Sequence, residues 1–395
     1  MKIGIDASCW ANRRGYGRYT RELVTAILDV DTVNEYTLFL DAETERQCPD
    51  LPSRPRRVVI PTRSAAADAA SAAGHRSLAD LWTMARAVSA RSHALDLFYF
   101  PTVYTFFPVP RRLRPLVTIH DAIAERHPHL VFPHWQNRLF WQLKVAWAIR
   151  QASMILSVSE TAKASVVDHF RLEPNTVRVV SDAVSAEFHP VHAPAELAPL
   201  LAAHGLAPDS RFVLYVGGIS PHKNIQPLVE AFCSLMDQDP LRDVTLVLVG
   251  DYQGDVFFSS YQALRERVRA LGAEARVVFT GFVPDADLPL WYSAAQVLVM
   301  PSVDEGFGLP ALEAMACGTP VAASRGGALP EVVGDAGLLF DSRSTSELRA
   351  VLERLLTDAA LRETLAAKGL VRASQFTWQA SAHAAIALFQ EVAAR

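Results

Sequence analysis

Short apolar runs recur along the whole chain, and they form two series with helical patterns between the runs. The first series comprises 1–7, 36–41, 57–61, 95–100, 114–121, 153–159 and 176–184, and the second 211–218, 244–251, 276–282, 295–302, 319–324 and 337–340. Continuous Val, Ile and Leu runs separated by helices are typical of parallel strands that are covered on both faces. The pattern therefore predicts an α/β fold with two doubly wound, Rossmann-like domains.

The length supports two domains, because 395 residues exceed what one hydrophobic core usually serves. The stretch 185–210 is rich in proline and alanine and poor in strand patterns, as a domain connection should be. We predict an N-terminal Rossmann-like domain over 1–190 and a C-terminal Rossmann-like domain over 191–376. A terminal helix over 377–395 should pack back on the N-terminal domain. Ligands of such sheets bind at the carboxyl ends of the strands, in a cleft that the two domains face.

Composition excludes several classes of protein. The net charge of −4 gives no case for a nucleic-acid binder. The four cysteines are scattered without a Cys-x-x-Cys pair, which favours reduced thiols over a disulfide framework. No apolar run reaches membrane-spanning length. We expect a protein of the cytosol or of the inner face of a membrane.

A glycine pair follows the first strand, where GYGRYTREL opens a helical pattern. Gly15 and Gly17 would let backbone N–H groups approach an oxyanion at the start of that helix. The dinucleotide fingerprint is only half met, because Thr20 stands near where a third glycine would be expected. NAD binding is therefore disfavoured, and a plain turn is the alternative.

A second glycine pair follows the first strand of the second series, in YVGGISPHKN. Lys223 comes shortly after Gly217 and Gly218, at a strand end. A lysine there suits a diphosphate, as a point charge that reinforces nearby helix N-termini. The spacing is not that of a Walker A loop, and a solvated lysine beside a turn is the common alternative.

The stretch 302–324 combines a loop with a short apolar helix. Leu309 and Pro310 predict the start of that helix and Gly318 its end. The N–H groups of Phe307, Gly308 and Leu309 should then be directed into the cleft, where anions or sugar hydroxyls can accept hydrogen bonds.

Two glutamates stand in this apolar stretch. A carboxylate on a buried helix is costly without a partner, and Glu313 lies in such a helix. A ribose diol supplies two donors for its two oxygens, and Glu305 in the loop could take a hexose hydroxyl in the same way. The alternative is a surface Glu305 with Glu313 paired to a buried arginine such as Arg325.

The block EGFGLPALEAMACGTPV, residues 305–321, resembles the E-x7-E motif of retaining, GT-B-fold glycosyltransferases of family 4. GYGRYTREL, VGGISPHKN, TGFVPDADLPLWYSAA and the terminal FTW are similar to the same family, so the resemblance covers nearly the whole chain. It implies a GT-B fold, and retaining transfer of a hexosyl group from a nucleotide-diphosphate sugar to an acceptor hydroxyl.

The resemblance also implies roles for single residues. Glu313 would hold the ribose and Glu305 the donor sugar. Lys223 would meet the diphosphate, and the region of Val283 the base. His120, at the end of a first-domain strand, resembles the active-site histidine near the donor hexose, so His120 and Glu305 are the expected catalytic residues. A satisfied core histidine is the alternative for His120.

One position departs from the family pattern. Many relatives carry an arginine where this chain has Gly218. Neutralisation of the phosphates would then depend on Lys223 with an N-terminal-domain arginine such as Arg18.

No metal or other cofactor is expected. His127, His129 and His134 are close in sequence, but no carboxylate or cysteine pattern accompanies them. The Asp-x-Asp triplets at 29–31, 237–239 and 285–287 fall at helix ends or turns, where aspartate is ordinary.

The sequence leaves more than one donor and more than one acceptor possible. GYGRYTREL and VGGISPHKN are similar to bacterial polysaccharide mannosyltransferases, which favours GDP-mannose, with UDP-glucose next. A GT-B-fold epimerase and a non-catalytic nucleotide-sugar binder are the rival functions. The acceptor should be a saccharide or a lipid-linked molecule. The prolines of 102–114 predict a loop whose aromatic side chains and following arginines contact a sugar or an anionic membrane.

Overall fold

The computed structural model describes residues 1–48, 51–62, 77–252 and 259–395. Its strands are β1 Lys2–Asp6, β2 Glu35–Asp41, β3 Arg56–Ile60, β4 Leu97–Phe100, β5 Pro115–Thr118, β6 Met154–Ser157, β7 Val177–Val179, β8 Phe212–Val216, β9 Thr245–Val249, β10 Val277–Gly281, β11 Val297–Met300, β12 Val321–Ser324 and β13 Gly337–Phe340. Each of the thirteen apolar runs in the sequence therefore overlaps a strand.

Helices separate most of the strands. They are α1 Gly15–Val30, α2 Ala42–Gln47, α3 Leu78–Val88, α4 Ile123–Arg126, α5 Pro128–Val131, α6 Trp135–Gln151, α7 Glu160–Phe170, α8 Pro194–Ala203, α9 Ile225–Cys233, α10 Tyr261–Ala270, α11 Leu288–Ala294, α12 Leu309–Ala316, α13 Leu329–Val333, α14 Thr345–Thr357, α15 Ala359–Ala373 and α16 Trp378–Ala394.

The first sheet has seven strands in the order β3-β2-β1-β4-β5-β6-β7, and neighbouring strands are parallel throughout. Gly4 of β1 lies between Thr37 of β2 and Phe98 of β4. The strand order reverses at β1 and β4, so the crevice beyond the carboxyl ends of these two strands is where such a sheet binds ligands.

The second sheet has six parallel strands in the order β10-β9-β8-β11-β12-β13. Every residue of the central strands β8, β9 and β11 is buried, which explains their unbroken Val and Leu runs. Here the order reverses at β8 and β11. The predicted fold class, two doubly wound α/β domains, is confirmed.

The chain forms two compact units. One comprises Met1–Asp182 with Thr377–Arg395, and the other Ala183–Phe376. The chain therefore passes from the first unit to the second between Asp182 and Ala183, before the predicted boundary at 190. Phe188 is buried and packs edge-on against Tyr292 of α11, at 6.0 Å between ring centroids. This contact ties the segment before residue 190 to the second unit.

The last helix, α16, belongs to the first unit. Trp378 at its start meets Tyr19 of α1 at 5.9 Å, and Phe389 meets Tyr99 of β4 at 5.3 Å, both between ring centroids. Ser381 Oγ donates a hydrogen bond to the Ser181 carbonyl. The helix is thus fixed to α1 and to the sheet of the first unit.

Candidate active site

The turn after β8 depends on glycines. Gly217 has φ +149°, a conformation that side chains rarely adopt. A Cβ added at Gly250, which follows β9, would lie 2.1 Å from the Gly217 carbonyl oxygen, so the two backbones approach closely. The Tyr215 hydroxyl donates to the Gly218 carbonyl at 2.7 Å. Gly218, which replaces the family arginine, therefore takes part in a fixed turn.

The segment with Lys223 is fastened to the end of β11. It forms a short 3₁₀ turn, Pro221–Lys223, followed by Asn224 at φ +56°. Asn224 Nδ2 donates to the carbonyls of Pro301 (3.1 Å) and Ser342 (2.8 Å), and the Val303 N–H donates to the His222 carbonyl at 2.9 Å. Because β8 and β11 are neighbours at the point where the strand order reverses, these bonds place Lys223 at the crevice.

Lys223 and Glu305 form an ion pair there. Lys223 Nζ lies 2.7 Å from Glu305 Oε1, and Ser302 Oγ donates to the same oxygen at 2.6 Å. Glu305 is only 8% exposed. Burial alone would raise its pKa, but the charge of Lys223 and the hydrogen bonds from Lys223 and Ser302 outweigh burial and lower the pKa. Glu305 is therefore an ionised carboxylate, and the alternative of a surface Glu305 is wrong.

A third glycine pair, Gly326 and Gly327, supports the Glu305 loop. A Cβ on Gly326 would lie 2.5 Å from the Val303 carbonyl oxygen, and one on Gly327 2.2 Å from the Glu305 carbonyl oxygen. The Ala328 N–H donates to that same Glu305 carbonyl at 2.9 Å. The predicted site residues do not include this pair, although SRGG directly follows an apolar run, as Gly217 and Gly218 do.

We predict that Gly327→Ala reduces activity strongly and lowers the free energy of unfolding by about 1–3 kcal/mol, since φ is +57° and the new methyl group meets backbone. Gly272→Ala is the matched control, because Gly272 has φ +63° with no atom within 4 Å of an added Cβ. Denaturant unfolding and donor turnover should be measured for both. Equal losses of stability and turnover in the two variants would contradict the close approach of Gly327 to the Glu305 carbonyl oxygen.

The helix α12 begins where the sequence predicted, at Leu309. Gly308 precedes it at φ +99°, and a Cβ there would lie 2.6 Å from Leu329 Cδ2. The Phe307 ring is buried against Phe376, at 5.6 Å between centroids. The first turn of a helix has no internal acceptors for its backbone N–H groups. These N–H groups at the start of α12 are therefore available to a ligand.

Glu313 lies in the interior and is 2% exposed. The Tyr292 hydroxyl of α11 donates to Glu313 Oε2 at 2.7 Å. The proposed structural partner Arg325 is wrong: its Nη1 lies 3.0 Å from Glu347 Oε2 at the surface. The Tyr292 hydroxyl thus meets this buried carboxylate from within the protein.

Val283 is buried and lies two residues beyond the end of β10. Gly281, the last residue of that strand, has φ +78° and turns the chain toward Val283. The assignment of this region to the base stays a prediction.

In the first unit, α1 begins at Gly15 itself. A Cβ on Gly17 would lie 2.0 Å from the Asn12 carbonyl oxygen, so the helix needs glycine there to pack against the preceding loop. Arg21 Nη1 donates to the carbonyls of Trp10 and Asn12, at 2.8 Å each, and holds that loop. Arg18 lies half-buried in the first turn. Oxyanion binding by Gly15 and Gly17, and phosphate binding by Arg18, stay predictions.

His120 follows β5 and is half-buried, with the Tyr19 ring edge-on at 4.9 Å between centroids. Burial lowers its pKa to about 4, although a hydrogen bond with the Pro101 carbonyl opposes the shift. Nε2 is buried and has no hydrogen-bond partner among the residues that the structure describes. A neutral ring that donates from Nδ1 to a carbonyl presents the lone pair of Nε2 as an acceptor. The role of His120 beside the donor hexose stays a prediction.

Comparison with known proteins places these residues in a family. The model of the family described as glycosyl transferases group 1 matches residues 200–371. O-antigen chain mannosyltransferase B of Escherichia coli is 31% identical over 380 residues, which are 92% of this chain and 93% of that protein. The chain is a group 1 glycosyltransferase.

Solved structures agree on the fold. Sucrose-phosphate synthase from Thermosynechococcus elongatus superimposes with a TM-score of 0.77 at 22% identity, covering 100% of this chain and 99% of the other. HepE of Anabaena, in complex with UDP-glucose, superimposes with a TM-score of 0.76 at 20% identity, over 99% and 100% of the two chains. The epimerase alternative gains no support from these matches.

The aromatic segment 102–114 of this group 1 glycosyltransferase differs from the prediction. It is a loop with short 3₁₀ turns, but Phe106 and Phe107 are buried and both pack on Phe100 of β4, at 5.0 Å between centroids. The prolines stop the strand without turning the rings outward. These phenylalanines are core residues, and they do not form a surface for sugar or lipid.

Among the described residues of the glycosyltransferase, no group of three His, Cys, Asp or Glu side chains could hold a metal ion. The rings of His127 and His129 are 6.4 Å apart between centroids. Likewise, no helix in the described part of the chain is both long and apolar enough to span a bilayer.

Proposed function

We propose that this glycosyltransferase transfers a mannosyl group from GDP-mannose to a saccharide or lipid-linked acceptor, with retention of anomeric configuration and without a metal ion. The observation that carries the proposal is the ion pair of Lys223 with Glu305 at the carboxyl ends of β8 and β11. The similarity to a relative named O-antigen chain mannosyltransferase B supports mannose. UDP-glucose is the alternative donor.

The chemistry requires a positive charge at the leaving group. In the reaction the bond from the sugar C1 to the diphosphate oxygen breaks, and negative charge grows on the departing diphosphate. An ammonium carries three N–H donors, and Glu305 accepts from one of those on Lys223. The remaining two can meet the diphosphate oxygens, aided by the N-terminus of α12.

Glu305 in the second unit and His120 in the first each offer an acceptor for a sugar hydroxyl. Glu305 is ionised because Lys223 and Ser302 lower its pKa, and its Oε1 is fixed by both. The second carboxylate oxygen is suited to accept a hexose hydroxyl. His120, neutral with an unpaired Nε2, is suited to accept another hydroxyl and not to act as a cation.

For retention, we propose attack from the face that the diphosphate leaves. The acceptor oxygen bonds to C1 while its proton passes to the departing phosphate oxygen, so that no protein base is required. On this account the protein mainly positions the reactants and excludes water. For a lipid-linked acceptor, we propose that the enzyme acts at the cytosolic face of a membrane.

A direct test combines ligand binding with product analysis. Thermal unfolding with GDP, UDP and ADP identifies the base, because a ligand that binds only the folded state raises the melting temperature. Proton NMR of the product from GDP-mannose and a saccharide acceptor then gives the anomeric configuration. An α-mannoside from the α-configured donor supports the proposal, and a β-mannoside or hydrolysis alone overturns it.

Activity should survive saturating EDTA, since on this proposal the Lys223 ammonium supplies the positive charge that a divalent ion supplies in other transferases. Initial rates with EDTA, and with added Mg²⁺ or Mn²⁺, should agree within about twofold, a difference of only about 0.4 kcal/mol. Complete inhibition that Mg²⁺ or Mn²⁺ reverses would contradict metal independence.

A further inference from the structure

The helix α6, WQNRLFWQLKVAWAIRQ, presents apolar side chains to solvent. Among the described residues, several of the most exposed large apolar side chains lie on it, between 44% and 72% exposed: Trp135, Leu139, Phe140, Leu143 and Trp147. Trp135, Leu139, Leu143 and Trp147 recur at every fourth position, so they follow one side of the helix. Such a continuous apolar surface marks an interaction site.

The opposite side of α6 is anchored in the first unit. Trp141, Val145 and Ala148 are buried. Trp141 Nε1 donates to Glu125 Oε1 at 2.6 Å, and Lys144 Nζ donates to the Tyr104 carbonyl at 3.2 Å. The orientation of the helix is therefore fixed, and its exposed apolar side does not result from loose packing.

The charges of α6 all have one sign. The helix carries Arg138, Lys144 and Arg150 and contains no aspartate or glutamate. Arg138 and Arg150 are exposed beside the apolar residues. Trp, Phe and Leu flanked by Lys and Arg are the composition of helices that lie in the interface of an anionic bilayer. Tryptophan near each end suits the headgroup region.

We propose that α6 docks this enzyme on an anionic lipid surface, with Trp135, Leu139, Leu143 and Trp147 inserted among the headgroups. A second copy of the chain fits this face less well. In a two-fold contact through α6, the cations of one helix would meet those of the other with no carboxylate on either helix to neutralise them. The inference deepens the membrane part of the proposed function by naming the docking surface, and it holds for any donor and sugar.

Co-sedimentation of the full chain with vesicles tests the docking. Phosphatidylcholine vesicles with phosphatidylglycerol should bind the protein, and vesicles of phosphatidylcholine alone should bind it less. Trp135→Ser with Trp147→Ser should weaken binding by roughly tenfold or more, because two inserted rings are lost. High salt should also weaken it.

The matched control is Trp82→Ser on α3, which removes a 64% exposed tryptophan from outside α6. It should leave vesicle binding unchanged. Negligible binding of the parent to both kinds of vesicle, or equal binding of the parent and the Trp135/Trp147 variant, would overturn the proposal. A dimer or a captured protein that the same double substitution abolishes, without any vesicle binding, would assign the face to that partner and overturn it too.

Discussion

Lys223→Ala will reduce turnover by about 10²–10³-fold, the usual loss when one group that stabilises transition-state charge is removed. The reason is its position. The Asn224 amide donates to the Pro301 carbonyl and the His222 carbonyl accepts from the Val303 N–H, so the 3₁₀ turn is held against the end of β11. The ammonium is therefore held at the crevice where the proposed diphosphate would develop charge. No reorganisation is then required during the reaction. Steady-state rates with saturating donor measure the effect.

The same substitution will also destabilise the protein, because it leaves the buried Glu305 carboxylate without its cation. The pKa of Glu305 is lowered in the folded state, so its contribution to stability is present above the unfolded-state pKa and is lost as the pH falls through the folded-state pKa. We expect a loss of about 1–3 kcal/mol at pH 7 for Lys223→Ala. Denaturant unfolding at pH 7 and near pH 4 should show a smaller difference from the parent at the lower pH.

Glu305→Gln separates the two effects of Lys223. It keeps the ammonium for the diphosphate and removes the carboxylate that must otherwise be neutralised. Glu305→Gln alone is the baseline for turnover, because Glu305 is itself proposed to hold the hexose. If the ion pair is only structural, Lys223→Ala with Glu305→Gln should match Glu305→Gln in both stability and turnover. Matching stability with turnover well below that of Glu305→Gln supports the leaving-group role. Turnover of Lys223→Ala within threefold of the parent would contradict that role.

The fold follows from local sequence because parallel strands buried on both faces are unbroken apolar runs. FVLYV of β8 and VLVM of β11 needed no tertiary information to be predicted. The boundary at 190 was less predictable. Proline and alanine mark a connection, but the burial of Phe188 against Tyr292 decides which unit holds the segment.

Pairing across the site could not be predicted from spacing. Lys223 and Glu305 are 82 residues apart, and their contact depends on β8 lying next to β11. The alternative of a pair between Glu313 and Arg325 rested on the need of a buried carboxylate for a partner, but Tyr292 meets that carboxylate from another helix. In 102–114, the prolines correctly indicated a loop, but they carry no information on whether Phe106 and Phe107 point inward.

Glu313→Gln should weaken donor binding by roughly tenfold to a hundredfold if Glu313 holds the ribose. The substitution keeps the volume and loses a charge-assisted hydrogen bond, worth about 1.5–3 kcal/mol. Because the Tyr292 hydroxyl donates to Glu313 Oε2, the change also perturbs a bond within the protein. A stability loss alone would therefore not establish contact with the donor.

Tyr292→Phe is the control that resolves this ambiguity, since it removes this internal hydrogen bond and leaves the carboxylate in place. It should lower the free energy of unfolding by about 1–3 kcal/mol while the donor dissociation constant changes little. Titration calorimetry with GDP and denaturant unfolding should be carried out on both variants. If the two variants lose similar stability and both bind GDP as tightly as the parent, Glu313 serves the packing of α11 against α12, and the ribose assignment is wrong.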